Sequence, residues 1–134
     1  MNADKRRLTE RILGAIFEVS NTLGAGFLEK VYERALVREL VGSGLRVRAQ
    51  ATYTVTYKGH NVGDYFADLV VEDCVLIELK CVDRLCPEHT AQCLNYLRAS
   101  GLELCYLVNF QTPKVEWKRL ALSNLRSSAF ICGQ

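Results

Sequence analysis

Two carboxylates and an ammonium mark one short region of this chain. Asp68 lies ten residues before Glu78, and Lys80 follows two positions later. The run Val75-Leu-Ile-Glu-Leu-Lys80 is apolar and branched enough for a buried strand. A strand shows residues i and i+2 on one face. Glu78 and Lys80 therefore project together, while Val75, Ile77 and Leu79 point the other way into a core. Buried charge is costly unless it is paired or holds a metal. One reading is a Glu–Lys pair at the rim of a sheet; the other is a metal-dependent catalytic strand. Asp68, followed by Leu69, Val70 and Val71, is a further acid on a strand expected to be buried. Asp and Glu oxygens suit Mg²⁺ or Mn²⁺, and a divalent cation neutralises like charges held close together. Such an ion lowers the pKa of a bound water and polarises a phosphoryl oxygen. Lys80 beside it would orient or deprotonate that water, or stabilise negative charge on a phosphate.

This chemistry depends on register. If the strands ending near Val71 and starting at Val75 form a hairpin, facing residues share a side of the sheet. A two-residue loop at Glu72-Asp73 sets Asp68 against Ile77, out of phase with Glu78. A three-residue connection, or one bulge, sets Asp68 against Glu78.

The elements that must hold these residues are legible from periodicity. Leu8, Ile12, Ala15, Ile16 and Val19 recur at three- and four-residue steps, which predicts a helix from about residue 5 to 22. Gly24 and Gly26 break it. A second helix is expected from about 28 to 40, with Leu28, Val31, Ala35, Leu36 and Leu40 as its apolar side, ended by Gly42-Ser-Gly44. Residues 46–50 and 52–57 read as two extended segments rich in Val, Thr and Tyr. Further strands are expected at 61–71 and 75–80. A helix over 87–100 starts at Pro87 and stops at Gly101. A central strand at 104–110 and an edge strand at 115–120 follow, and residues 123–134 carry little signal. The order α-α-β-β-β-β-α-β-β predicts an α/β fold with a central mixed β-sheet flanked by helices.

With 134 residues, the chain is expected to form a single domain over residues 1–134. Hydrophobic residues make up 49% and only two are proline, which excludes a disordered chain. A net charge of +2 is too small to argue for nucleic acid by itself. No apolar run reaches the ~18–20 residues of a membrane span, and the start of the chain leads into an amphipathic segment, so no membrane association and a cytoplasmic location are expected. Six cysteines, none spaced as a zinc ligand pair, are expected to be buried reduced thiols.

Several segments together resemble a known family. Asp68 followed by Glu78-Leu-Lys80 matches the D…(D/E)xK signature of the PD-(D/E)XK nuclease superfamily, whose fold is restriction-endonuclease-like. Gly26-Phe-Leu-Glu29-Lys-Val-Tyr32 matches the motif that names its GxxExxY branch. The segments Gly63-Asp-Tyr-Phe-Ala-Asp68, His89-Thr-Ala-Gln92-Cys-Leu-Asn-Tyr96 and Val108-Asn-Phe110 are similar as well, so the likeness runs over nearly the whole chain. It implies a RecB-like core with Asp68 and Glu78 as metal ligands and catalytic acids, Lys80 serving the attacking water, and Glu29 completing the metal shell from a helix. Glu33, one turn later, is the substitute acid. Gln92 and Tyr96 match the QxxxY motif of RecB-like nucleases; Gln92 would position the site, and Tyr96 and Tyr32 would support it. The implied activity is Mg²⁺- or Mn²⁺-dependent hydrolysis of phosphodiester bonds in nucleic acid, DNA before RNA. A chain this small would grip a duplex as a homodimer or with a protein partner. One departure is Phe66, which stands where the family pattern leads one to expect arginine.

Simpler readings stand beside these. Glu29 is otherwise a solvated acid, Tyr32 a core aromatic, His89 and Gln92 polar residues of an amphipathic helix, and Asp64 a more distant stand-in for Asp68. Lys5, Arg6, Arg7, Arg34, Arg38, Arg46 and Arg48 are either a phosphate-facing surface or a solvated one. The competing functional class is a catalytically silent nucleic-acid-binding or protein-interaction module on a nuclease scaffold. An iron–sulfur nuclease using the cysteines ranks last.

Overall fold

The computed structural model describes residues 3–122. Within them lie α1 (Ala3–Leu23), α2 (Glu29–Gly42), β1 (Val47–Tyr57), β2 (His60–Val71), β3 (Val75–Lys80), α3 (Pro87–Ser100), β4 (Leu104–Asn109) and β5 (Glu116–Ala121). The expectations for the tail, Cys132 included, lie outside the described residues.

The five strands form one mixed sheet in the order β1-β2-β3-β4-β5. Pairing is antiparallel throughout except between β3 and β4, which run parallel because α3 carries the chain across between them. The two faces of the sheet are packed differently. Leu69, Val71, Val75, Ile77, Leu79, Tyr106 and Val108 meet α1 and α2 through Ile12, Ile16, Tyr32, Leu36 and Leu40. Val70, Leu76, Cys105 and Leu107 meet α3 through Cys93 and Leu97. The strand β3 is buried on both faces, as the α/β/α layering requires. No helix among the described residues is long and apolar enough to cross a membrane.

Two expectations change. Residues 46–50 and 52–57 are not separate strands: β1 is continuous, with Gln50 held at φ +55° in its middle. Ala51, left out between the two expected segments, is inside the ladder, and β2 pairs on both sides of Gln50, at Ala49↔Leu69 and Ala51↔Ala67. The buried stripe of α2 is also rotated. Tyr32, Glu33, Leu36 and Leu40 are inside, whereas Leu28 is 80% exposed and Val31 is 37% exposed. Leu28 is the N-cap, outside the helix, so the four-residue step begins at Tyr32.

The β2–β3 connection satisfies the register condition. Val71 pairs with Val75, Val70 with Leu76 and Leu69 with Ile77, leaving Glu72, Asp73 and Cys74 between the strands. Glu72 and Asp73 are both left-handed, at φ +55° and +50°, and the Cys74 N–H donates to the Val71 carbonyl at 3.0 Å. Left-handed geometry at both central residues matches the right-handed twist of a hairpin. The Glu72 carboxylate accepts from the Arg46 backbone N–H at 2.6 Å, tying the turn to the entry of β1.

Ile77 is fully buried at the centre of the sheet, between Leu69 on β2 and Tyr106 on β4. Ile77→Ala is expected to destabilise the protein by about 2–5 kcal/mol through lost burial and the cavity left behind, read as a lower urea midpoint with an unchanged m-value.

Candidate active site

The site sits where β2 and β3 part. Their backbone pairing covers only three residue pairs and ends at Leu69↔Ile77, although both strands continue. The next pair in register is Asp68 and Glu78. In place of a backbone bond, each acid bonds the other strand. Asp68 Oδ2 accepts from the Leu79 N–H at 2.8 Å, and Glu78 Oε1 accepts from the Asp68 N–H at 3.3 Å. The carboxylates themselves occupy the fork.

The fork also disturbs the alternation of side chains. Leu69 and Val71 face α1 and α2, but Tyr65 and Ala67, at the same parity, face α3. Asp68 is the residue at which β2 changes face. On β1 the same change falls at Gln50, since Val47 packs on the α1–α2 side and Ala51 and Tyr53 on the α3 side. The positive φ of Gln50 is thus the local distortion that accompanies the insertion of Asp68 into the sheet.

Other side chains approach from both sheet faces. On α2, Glu33 is buried; its Oε1 accepts from Gln50 Nε2 at 2.8 Å and its Oε2 from Lys30 Nζ at 2.9 Å. Gln50 Nε2 also reaches Asp68 Oδ1 at 3.5 Å. Glu29 is more exposed than Glu33 yet lies within electrostatic reach of both Asp68 and Lys80. From α3, Gln92 Oε1 accepts from Lys80 Nζ at 3.3 Å. Asp68, Glu78, Lys80 and Gln92 are therefore brought together. Of the two candidate acids on α2, it is Glu33 that touches the polar network, while Glu29 stands at its margin. Gln50 went unnoticed in the sequence, because nothing in an isolated Ala-Gln-Ala shows that it faces an acid across a sheet.

Supporting residues hold the elements in place. Tyr32 is fully buried and stacks on Phe110 with ring centroids 4.7 Å apart. Its hydroxyl donates to the Gly24 carbonyl at 2.5 Å and accepts from the Phe27 N–H at 3.2 Å. This pins the α1–α2 loop, from which α2 starts at Glu29. Tyr96 stacks on Tyr65 at 4.0 Å, and Tyr65 Oη donates to the Tyr96 carbonyl at 2.7 Å. Tyr96 thus anchors α3 to β2. Asn109, fully buried, donates to the Val82 carbonyl at 2.8 Å and to Glu116 at 3.1 Å, and accepts from the Val82 and Gln111 N–H groups. That network fixes the loop between Lys80 and α3. His89 Nδ1 accepts from the Cys86 N–H at 3.1 Å and caps α3. Asp64 accepts from Thr54 Oγ1 at 2.9 Å, away from the acids. Phe66, 59% exposed, pairs with Thr52 in the outer part of the hairpin.

Burial dominates the electrostatics of these acids. Burial, and then the nearby Asp68, push the Glu78 carboxyl up to about 9. Burial also raises Asp68, partly offset by the Leu79 N–H. Glu29 is raised by burial and by Asp68. Lys80 opposes all three shifts without cancelling them.

A model of the PD-(D/E)XK nuclease superfamily matches residues 6–120. The chain belongs to that superfamily. The chain has no significant match among the curated proteins. Among solved structures it is similar to an alkaline exonuclease from Laribacter hongkongensis, with a TM-score of 0.52 at 19% identity over 76% of this chain and 60% of that one. It is similar to the protein SSO0001 to the same TM-score of 0.52, at 18% identity over 78% of this chain and 58% of that one. The chain thus spans about 60% of the length of these neighbours, and the likeness is one of fold. It accords with the five-stranded mixed sheet and its flanking helices.

PD-(D/E)XK nucleases generally use divalent metal ions, and the residues present fit one. Asp68 and Glu78 offer hard oxygen donors, and both are held above their ordinary values, first by burial and then by a neighbouring acid, a penalty that a divalent cation would relieve. Among the described residues no three Asp, Glu, His or Cys side chains gather into a ready cage. A pair of carboxylates suits Mg²⁺, which keeps several waters and completes its shell with substrate phosphate oxygens.

Two outcomes follow. Tyr32→Phe is expected to lower stability by about 1–2 kcal/mol, because the Gly24 carbonyl and the Phe27 N–H lose their partner; urea unfolding measures it. The raised Glu78 carboxyl makes stability depend on pH. The unfolded chain ionises this group near its ordinary 4.5, the metal-free folded chain only near 9. Between these values the unfolded state binds fewer protons, so rising pH costs stability. Glu78→Gln is expected to flatten this decline and to raise Tm at pH 8 above that of the parent, in thermal melts taken from pH 5 to 9 under chelation.

Proposed function

We propose that this chain is a metal-dependent nuclease of the GxxExxY branch that hydrolyses phosphodiester bonds in nucleic acid, DNA before RNA. The observation that carries the reading is the crossed pair at the fork, Asp68 on the Leu79 N–H and Glu78 on the Asp68 N–H, with Lys80 held by Gln92 beside it. A purely structural pair of buried acids would raise the energy of the fold for no return, whereas a pair awaiting a cation and a phosphate has a use for the unbalanced charge. The exonuclease among the structural neighbours supports the same class of reaction.

In this reading Asp68 and Glu78 hold Mg²⁺ or Mn²⁺. When bound, the ion supplies a water of lowered pKa and polarises the phosphoryl oxygen. Lys80 presents its ammonium to the water or the phosphate, and Gln92 limits the rotamers from which it does so. Gln50 donates to Asp68 and Glu33 together, fixing which face of the Asp68 carboxylate is free. Glu29 stands at the rim, positioned to complete the shell through water. Tyr32 and Tyr96 keep α2 and α3 at the distances this requires.

The test is incubation of the purified protein with labelled single- and double-stranded DNA and RNA, with Mg²⁺, with Mn²⁺ and with chelator. Cleavage is expected with either metal and none under chelation, with a drop of roughly 10²-fold or more for Asp68→Asn and for Lys80→Ala. Circular dichroism shows whether the variants remain folded. Cleavage that survives chelation, or that both variants retain in full, overturns the proposal. Metal-independent binding without cleavage points to the silent module instead.

A further inference from the structure

The exposed side of α2 carries Lys30, Arg34 and Arg38. They are four residues apart, so they form one stripe with about 6 Å between successive charges along the helix axis. The three cations line one wall of an open groove of about 540 Å³, with Val37 beside them and Ala49 of β1 opposite. β1 is an edge strand, so no further strand of the sheet covers this side.

Charge in the groove is not balanced by the protein. Arg7, Arg46 and Arg48 are each paired with a carboxylate: Asp4, Glu72 and Asp73. Arg34 and Arg38 meet no carboxylate among the described residues. Lys30 alone has one, Glu33, at 2.9 Å. Glu33 also connects the groove to the acids: it lines the groove, accepts from Gln50, and Gln50 reaches Asp68. The groove therefore opens beside the fork and leads away from it along α2.

We infer that this groove binds the sugar–phosphate backbone of one nucleic-acid strand, with phosphates on Lys30, Arg34 and Arg38, and feeds that strand to the fork. The inference rests on the nuclease reading and adds to it the track that the substrate follows. A single line of cations on one helix matches a single strand's line of phosphates. The apolar strip of Val37 and Ala49 accommodates sugars and base edges without selecting among them, so binding is expected to be indifferent to sequence.

The experiment compares an Arg34→Gln/Arg38→Gln double variant with a charge-matched Lys118→Gln/Arg119→Gln control on β5. Fluorescence anisotropy of a labelled single-stranded oligonucleotide gives affinity across a salt series under chelation, where cleavage is off. The first double variant is expected to bind at least ~10-fold more weakly and to reduce the slope of log K against log salt by about 1.4, the loss of two phosphate contacts on a single strand. The control is expected to keep the parent's slope. Indistinguishable affinity and slope in the two double variants overturn the groove while leaving the nuclease reading intact if the parent cleaves. A parent that neither binds nor cleaves any oligonucleotide overturns both. Displacement by polyglutamate as readily as by unlabelled oligonucleotide overturns the assignment to nucleic acid.

Discussion

The contact between the Leu79 N–H and the Asp68 carboxylate is the one on which the rest of the site depends. A strand in the middle of a sheet needs a partner for each backbone donor, because an unpaired buried N–H costs about as much as a lost hydrogen bond. Here the partner is a side chain. That substitution lets β2 and β3 separate without orphaning the donor, and it places a carboxylate at the point of separation. Glu78 completes the exchange by accepting from the Asp68 N–H. Both acids are thereby fixed by backbone atoms of the neighbouring strand, which side-chain flexibility cannot relax.

The same arrangement creates an electrostatic deficit. Acids drawn into a sheet lose water, which raises both; Asp68 raises Glu78 further, and Glu33 raises Asp68. Lys80 offsets this only in part, and its ammonium also donates to Gln92. Buried like charges persist in a fold when something outside the chain compensates them. Under the proposed nuclease function, a divalent cation and a phosphate would do so together.

Around this centre the sheet and helices act as clamps. β4 fixes Lys80 from one side, through the Lys80↔Asn109 pair and the Phe110 N–H on the Lys80 carbonyl. Asn109 and Glu116 fix the loop into α3, so Gln92 arrives at a set distance. Tyr32 performs the corresponding task for α2 by closing the Gly24–Phe27 loop. Three residues of the recognisable motifs, Tyr32, Tyr96 and Asn109, thus act through the elements they anchor. Spacing alone could flag them but could not assign them that role.

The sequence by itself determined the order of helices and extended segments, apart from one strand split in two, and singled out the acids that meet at the fork, because strand and helix periodicities are local and Glu78 and Lys80 violate an apolar run. It also stated the condition for the acids to meet. It could not decide that condition, since whether Cys74 joins the ladder or stays out of it as the third residue of the connection depends on how the two strands pair along their length, which local residue types do not dictate. Nor could it show that residues 46–57 form one strand, that α2 buries Tyr32 and Glu33 in place of Leu28 and Val31, or that Gln50 belongs to the site. Each of these is a relation between segments distant in the chain. Gln50 lies opposite Asp68 only because two strands pair around it, and the buried Glu33 carboxylate is satisfied by Gln50 on β1 as well as by Lys30 on its own helix. Tertiary packing decided them, by giving buried polar groups partners that no local pattern names.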